Sequence, residues 1–251
     1  MINKSRGILR IGTSGIVVPG SKQSFPAEFR LKSRLNYYAS LFNTLEVNST
    51  FQKIPMVSTL QKWSLDVPEE FRYTLKLWKE ITHVKQLVIN LKNIDTFFSA
   101  ANHIGNKKGC LFVQFPGSIT ADYSTQVEQI LLRLQQLDQD NEWQKAVELR
   151  SVTWYSSQTN ELLNRYNVSL VLHDMPKSKN LMVDEAAKFI YFRFHGPKGD
   201  YRGSYSAEFL KEQAENIQSS LNNGKDVYAY FNNTMGSAFE NAMTLKEMIE
   251  K

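Results

Sequence analysis

"YFRFHGPKGDYRGSYSAEFL" (191–210) joins the end of a strand, a loop with three glycines and the start of a helix. Aromatic and polar side chains alternate through Phe192, Arg193, Phe194 and His195, the period of two expected of a strand with different neighbours on its two faces. Beyond the loop, Leu210, Ala214, Ile217 and Leu221 recur at the three-or-four spacing of an amphipathic helix. A strand that feeds a helix is one βα unit, and repeated units pair their strands in parallel through right-handed crossovers.

The pattern recurs along the chain. Strand-like runs occur at "ILRIG" (8–12), "TLEVNST" (44–50), "RYTLKLW" (72–78), "CLFVQF" (110–115), "KAVELR" (145–150), "SLVLHD" (169–174), "KFIYFRFHG" (188–196) and "DVYAYFNN" (226–233). Helical spacing appears in Leu31, Leu35, Tyr38 and Phe42, in Val127, Ile130, Leu131, Leu134 and Leu137, and in Ala238, Ala242, Leu245 and Ile249. Eight such strands in 251 residues predict an α/β fold, a single (β/α)8 TIM-like barrel domain over residues 1–251. Between strands six and seven, "MPKSKNLMVDEAA" (175–187) has room for only a degenerate helix.

Composition fits this class, with 42% hydrophobic and 22% charged residues. No apolar run approaches the roughly 20 residues of a membrane helix, and "MINKSRGILRIGTSG" has no apolar core of a secretory signal. The single cysteine, Cys110, has no partner for an internal disulfide, so a cytoplasmic location is expected. A net charge of +5 favours an anionic small molecule or nucleic acid as partner; no membrane and no protein partner is indicated.

Sorting the strands by parity places polar residues on the face opposite the aliphatic ones. Glu46 and Asn48 alternate with Leu45 and Val47, and Glu148 and Arg150 with Val147 and Leu149. Arg193 and His195 alternate with Ile190, Phe192 and Phe194. Lys76, Gln114, His173 and Asn232 share the same parity near the ends of their strands. If the aliphatic parity packs on helices, these groups converge at the C-terminal rim, where barrel active sites are built. Buried charges persist when they pair, meet water or bind a ligand, so a self-satisfied ion network is the alternative to a site.

Several of these stretches also resemble, in order, the landmarks of the YecE-like family, also called domain of unknown function 72: "GTSG" (12–15), "EVNSTFQKIP" (46–55), "WSLDVPEEFRYTLKLWKEITH" (63–83), "ELRSVTW" (148–154), "FRFHG" with "YRGSYS" (192–206) and "YFNNT" (230–234). The resemblance spans nearly the whole chain and implies a TIM-like barrel; it implies no activity, though a similarity to barrel-type DNA-repair nucleases has been entertained. Gln52 and Lys53, Ser151, and Ile16 with Val18 depart from the family's usual Tyr and Arg, His, and aromatics.

Glu46 and Glu148 are the candidate acid/base pair, since two carboxylates at one rim can be pushed to different pKa values; each could instead pair with Lys76, Arg150 or Arg193. Arg150 or Lys76 would offset negative charge developing on the substrate. The loop after strand seven reads either as an anion cradle, with Arg193, Lys198 and Arg202 supplying charge and Ser204 or Ser206 capping the next helix, or as an ordinary surface loop. Asn48, His173, His195 and Asn232 would orient the substrate, and Tyr201 and Tyr205, with Trp78 and Trp154, could stack on a ring. No cofactor is expected. A divalent metal would require His83, His173 or His195 to join Glu46, Glu148 or Asp174. These residues lead to an enzyme acting on a phosphate-bearing substrate, possible versions being cleavage of a nucleic-acid or nucleotide phosphodiester; the alternatives are a non-catalytic nucleic-acid-binding protein and a sugar or sugar-phosphate isomerase.

Overall fold

The computed structural model describes residues 5–181 and 183–251. Residues 1–4, at the start of the stretch read for a signal, and Met182, within the connection read as a degenerate helix, lie outside the described residues. Eight strands follow the sequence expectation closely: β1 (Leu9–Thr13), β2 (Thr44–Val47), β3 (Arg72–Lys76), β4 (Lys108–Phe115), β5 (Gln144–Leu149), β6 (Val168–His173), β7 (Phe189–Phe194) and β8 (Asp226–Phe231). The described α-helices are α1 (Arg34–Leu41), α2 (Ser49–Gln52), α3 (Val57–Leu65), α4 (Lys79–Thr82), α5 (Leu91–Ala101), α6 (Ser124–Leu137), α7 (Ser157–Arg165), α8 (Ala207–Asn222) and α9 (Ala238–Glu250). None of them lies between β6 and β7, where the chain turns back so that Asn180 pairs with His173 through two backbone hydrogen bonds. No described helix is long and apolar enough to cross a membrane.

All strands are parallel, in the order β1-β8-β7-β6-β5-β4-β3-β2. The barrel closes between β1 and β2 by a different device. A single backbone bridge joins Ser14 to Glu46, and side chains span the rest of the seam. The Tyr38 hydroxyl accepts from Thr13 N at 2.8 Å and reaches Thr44 O at 3.1 Å; Asn43 accepts from Ile11 N and donates to Leu9 O at 2.7 Å. These side chains satisfy backbone groups that would otherwise be left as sheet edges. Gly12 permits this, because a Cβ there would stand 2.4 Å from Thr44 O and 2.6 Å from the Tyr38 hydroxyl.

The parity argument holds. Leu45, Val113, Leu149, Ile190, Phe192 and Phe231 face the helices in the outer core. The interior holds a separate apolar plug of Cys110, Phe112, Ala146, Val171, Phe189, Tyr191, Tyr228 and Tyr230, with small residues offsetting large ones as a packed interior requires. Above this plug the interior turns polar. Two expectations shift: strand two ends at Val47 because the chain turns helical at Asn48, and Leu31, read as part of a helical stripe, precedes α1 and is 99% exposed.

Candidate active site at the barrel mouth

At the centre of the polar layer lies Arg193, at the end of β7 and 1% exposed. Its guanidinium grips Glu46 on β2 through Nε (2.9 Å) and Nη2 (2.9 Å), and donates from Nη1 to Glu148 on β5 at 2.8 Å. Glu46 also accepts from the Ser14 and Tyr191 hydroxyls at 2.6 Å each. Glu148 accepts from Arg150 Nε at 2.6 Å. Burial opposes the charge on both carboxylates, but Arg193, with Ser14 and Tyr191 at Glu46 and with Arg150 at Glu148, outweighs it and holds both below their ordinary values. Their pKa values therefore move in the same direction, and both groups are ionised at neutral pH. The acid/base division expected of this pair needs values driven apart. Arg193 is likewise engaged below the mouth, which argues against the anion-holding role read for it.

His195 continues the layer. Its backbone N–H and its Nδ1 both face Asp174 Oδ1, at 2.8 and 3.3 Å, and Asp174 Oδ2 accepts from the Tyr205 hydroxyl. The other ring nitrogen faces Arg193 Nη1 at 3.0 Å and Arg150 Nη2 at 3.4 Å, both donors, so it is placed as an acceptor. His173 accepts at Nδ1 from Met175 N (3.3 Å) and points Nε2 toward Leu149 O and the Tyr155 hydroxyl (3.1 Å); burial lowers its pKa and favours the neutral ring. No group of three or more His, Cys, Asp or Glu placed to hold a metal occurs among the described residues.

Lys76, the last residue of β3, occupies a different corner. It is 9% exposed; its Nζ donates to the neutral Gln114 Oε1 at 2.7 Å and lies over the Phe51 ring, 4.2 Å from its centroid, and the Phe112 ring, 5.7 Å from its centroid. No carboxylate pairs with it among the described residues. Burial, reinforced by the charge of Arg193, pulls its pKa from 10.5 down to about 7, against the weaker opposing pull of Glu148 and Glu46. Beyond Gln114, the exposed edge of the site carries His83, whose Nε2 is 3.4 Å from Gln114 Nε2; partial burial and the charges of Lys76 and Arg150 push this imidazole down to about 4.

Around the mouth, Lys53, Lys177, Lys179, Lys198 and Arg202 are exposed. In the loop after β7 several backbone N–H groups are engaged within the protein. Gly199 N donates to Gly196 O, Tyr201 N to His195 O, Gly196 N to the Tyr205 hydroxyl and Tyr205 N to Asn241 Oδ1. A Cβ at Gly196, whose φ is +99°, would stand 2.3 Å from Arg202 O, so this glycine serves the fold-back of the loop. Ser206 caps α8, accepting from Phe209 N at 3.2 Å. Tyr201 hydrogen bonds Arg150 through its hydroxyl, while Tyr205 is buried against Phe209 and Trp154 is buried with its indole donating to Ile119 O. Tyr205 and Trp154 therefore offer no face for stacking. Asn48 has its Oδ1 buried without a hydrogen-bond partner, and Asn232 lies nearly buried after β8.

The polar parity thus brings Glu46, Glu148, Arg150, Arg193 and His195 into one network, with Lys76 and Gln114 beside it. Ser14, Tyr191, Phe51 and Phe112 complete the arrangement without having been singled out for it, and Asp174, named only as a candidate metal ligand, holds His195. Tyr191 and Phe112 share the inward parity of Arg193 and Gln114, so the same rule carried one pair deeper finds them; Asp174 and Phe51 lie past their strands, where parity carries no information.

Comparison with solved structures gives the same architecture. A DUF72 family protein from Enterococcus faecalis V583 superposes with a TM-score of 0.76 at 21% identity, over 97% of this chain and 96% of that one. A DUF72 family protein from Thermotoga maritima MSB8 gives 0.73 at 23% identity, over 97% and 100%. A 3-keto-D-glucoside 4-epimerase from E. coli gives 0.55 at 12% identity, over 90% and 91%, a likeness of fold. No curated protein matches the chain. Residues 10–251 match the family described as protein of unknown function DUF72, the YecE-like family, and the chain belongs to it.

Proposed function

We propose that the protein is an enzyme that works at the C-terminal mouth of its barrel on a small phosphate-bearing substrate, with Lys76 as the group that exchanges a proton with it. One observation carries this reading: the arginines occupy both buried glutamates, and Lys76 is left buried with only a neutral partner. An amine titrating near pH 7 suits general acid–base catalysis, because both protonation states are populated at the working pH. Isomerisation of a sugar phosphate, a proton transfer between neighbouring carbons, needs such a group. Phosphodiester cleavage with one glutamate as the acid would need that carboxyl to carry a proton, and both are held ionised. Exposed Lys198 and Arg202, with Lys53, Lys177 and Lys179 on other rim loops, would draw the anion in, and Arg150 would face it.

Those same exposed cations favour a second reading, a nucleic-acid strand lying across the mouth. A thermal-shift titration against triose, pentose and hexose phosphates, nucleotides and a single-stranded oligonucleotide separates the two. Ligand at about 100 times Kd adds roughly 2.7 kcal/mol of stability. Stabilisation by a sugar phosphate, weakened in Lys198→Ala/Arg202→Ala, is the expected result. Stabilisation by the oligonucleotide alone, falling steeply with salt, would replace the enzyme reading.

A further inference from the structure

We propose that Lys76 bonds covalently to its substrate, forming an imine with an aldehyde or ketone, so that the substrate class is a small carbonyl compound bearing phosphate. This rests on the reading of Lys76 as the reacting group and goes further, from a proton carrier to a nucleophile.

The geometry supplies what an imine requires. The amine sits at the C-terminal end of β3, on the face of the barrel where substrates enter. Its Gln114 acceptor leaves the amine without a counter-ion, and the nucleophilic form of an amine is the neutral one. Arg193 and Arg150 take up the two carboxylates that would otherwise keep the amine charged. The titratable groups facing it are Arg193, Arg150, Glu46, Glu148 and His83, of which the two arginines and His83 add no negative charge. Phe51 and Phe112 shield the nitrogen from water on the ring side, which favours a product formed by losing water.

The step balances without any further reagent. The Lys76 nitrogen forms a bond to the carbonyl carbon as the C=O π bond breaks, giving a carbinolamine. The carbinolamine C–O bond then breaks, and the oxygen leaves as water carrying both protons of the neutral amine. Protonation of the imine gives an iminium cation that would lie over the same Phe51 face.

The test uses the full chain at pH 7 with dihydroxyacetone phosphate, dihydroxyacetone, or glycerol 3-phosphate as the probe lacking a carbonyl, each with sodium borohydride, followed by intact mass and peptide mapping. The expected result is one reduced adduct per chain on the peptide carrying Lys76, formed at no less than ten-fold lower concentration by the phosphorylated ketone and absent with glycerol 3-phosphate. Lys76→Met and Lys76→Arg should abolish it; mapping of the unsubstituted protein keeps the test valid if either variant fails to fold. Adducts scattered over surface lysines without excess at Lys76 would overturn the proposal. The pH dependence of reductive methylation at Lys76 separates the two levels. An amine titrating near 7 that forms no adduct removes the imine and leaves the proton-transfer reading, whereas an amine titrating near 10.5 removes both.

Discussion

Two buried lysines at opposite ends of the barrel have opposite surroundings. Lys145, near the start of β5, is hydrogen bonded to the buried Asp138 carboxylate and to Trp143 O, and Asp138 also accepts from the backbone N–H groups of Glu142 and Trp143. Lys76, at the end of β3, has a neutral amide and two aromatic rings. Both are buried, so the two sites differ in their partners rather than in exposure. At the N-terminal end a carboxylate makes an ion pair with the lysine, whereas at the C-terminal end the carboxylates go to arginine and Lys76 is left with a neutral partner.

The comparison breaks first at Arg193. Arg193→Met would leave Glu46 and Glu148 buried without their shared counter-ion, an expected loss of about 3–5 kcal/mol in urea denaturation, or failure to fold. It should also raise the pKa of Lys76, because the released carboxylates would then favour its charged form. A stable Arg193→Met protein would mean that the network is not the floor of the site.

Next in size is the direct contrast of the lysines. Lys145→Met strands Asp138 and should cost about 3 kcal/mol, while Lys76→Met removes a poorly solvated charge and should cost nothing, stabilising the protein at neutral pH. Equal losses would erase the distinction. The pH dependence checks the same point. A lysine with a folded pKa of about 7 against 10.5 holds fewer protons in the folded chain throughout that window, so its contribution makes stability rise with pH from about 7 to about 10.5. That rise should vanish in Lys76→Met. On the acid side the sign is the same: Glu46 and Glu148, held low in the folded chain, contribute stability that is complete above about 4.5 and is lost as pH falls through their folded values.

The smallest effect sharpens the account of Lys76 itself. Phe51→Leu keeps the apolar contact but removes the ring face under the ammonium, worth about 0.5–1 kcal/mol to the charged form. Titration of Lys76 by reductive methylation should then show a pKa lower by about half a unit. An unchanged value would leave burial and Arg193 as the whole cause.

Much of the molecule is legible in one dimension. Strand seven is the clearest case: the alternation of Phe192, Arg193, Phe194 and His195 places two side chains in the wall core and two in the mouth, and the structure agrees. That no ordinary helix occurs among the described residues between β6 and β7 was legible from the shortness of residues 175–187. The closure at β1 and β2 was not, because Tyr38 reads as a helix-face residue and Asn43 carries no signal until the seam brings backbone groups to them. Likewise Leu31 fits a helical spacing that the chain does not use.

What the sequence determined by itself is the set of polar groups that enters the mouth. Parity is a local property of extended backbone, so Glu46, Lys76, Glu148, Arg193 and His195 could be assigned to one face without knowing their neighbours. Which of these groups neutralise one another was decided only by the tertiary structure. Charge pairing depends on distances between strands far apart in the chain, and within a buried layer those distances determine that Arg193 takes both glutamates and leaves Lys76 with Gln114.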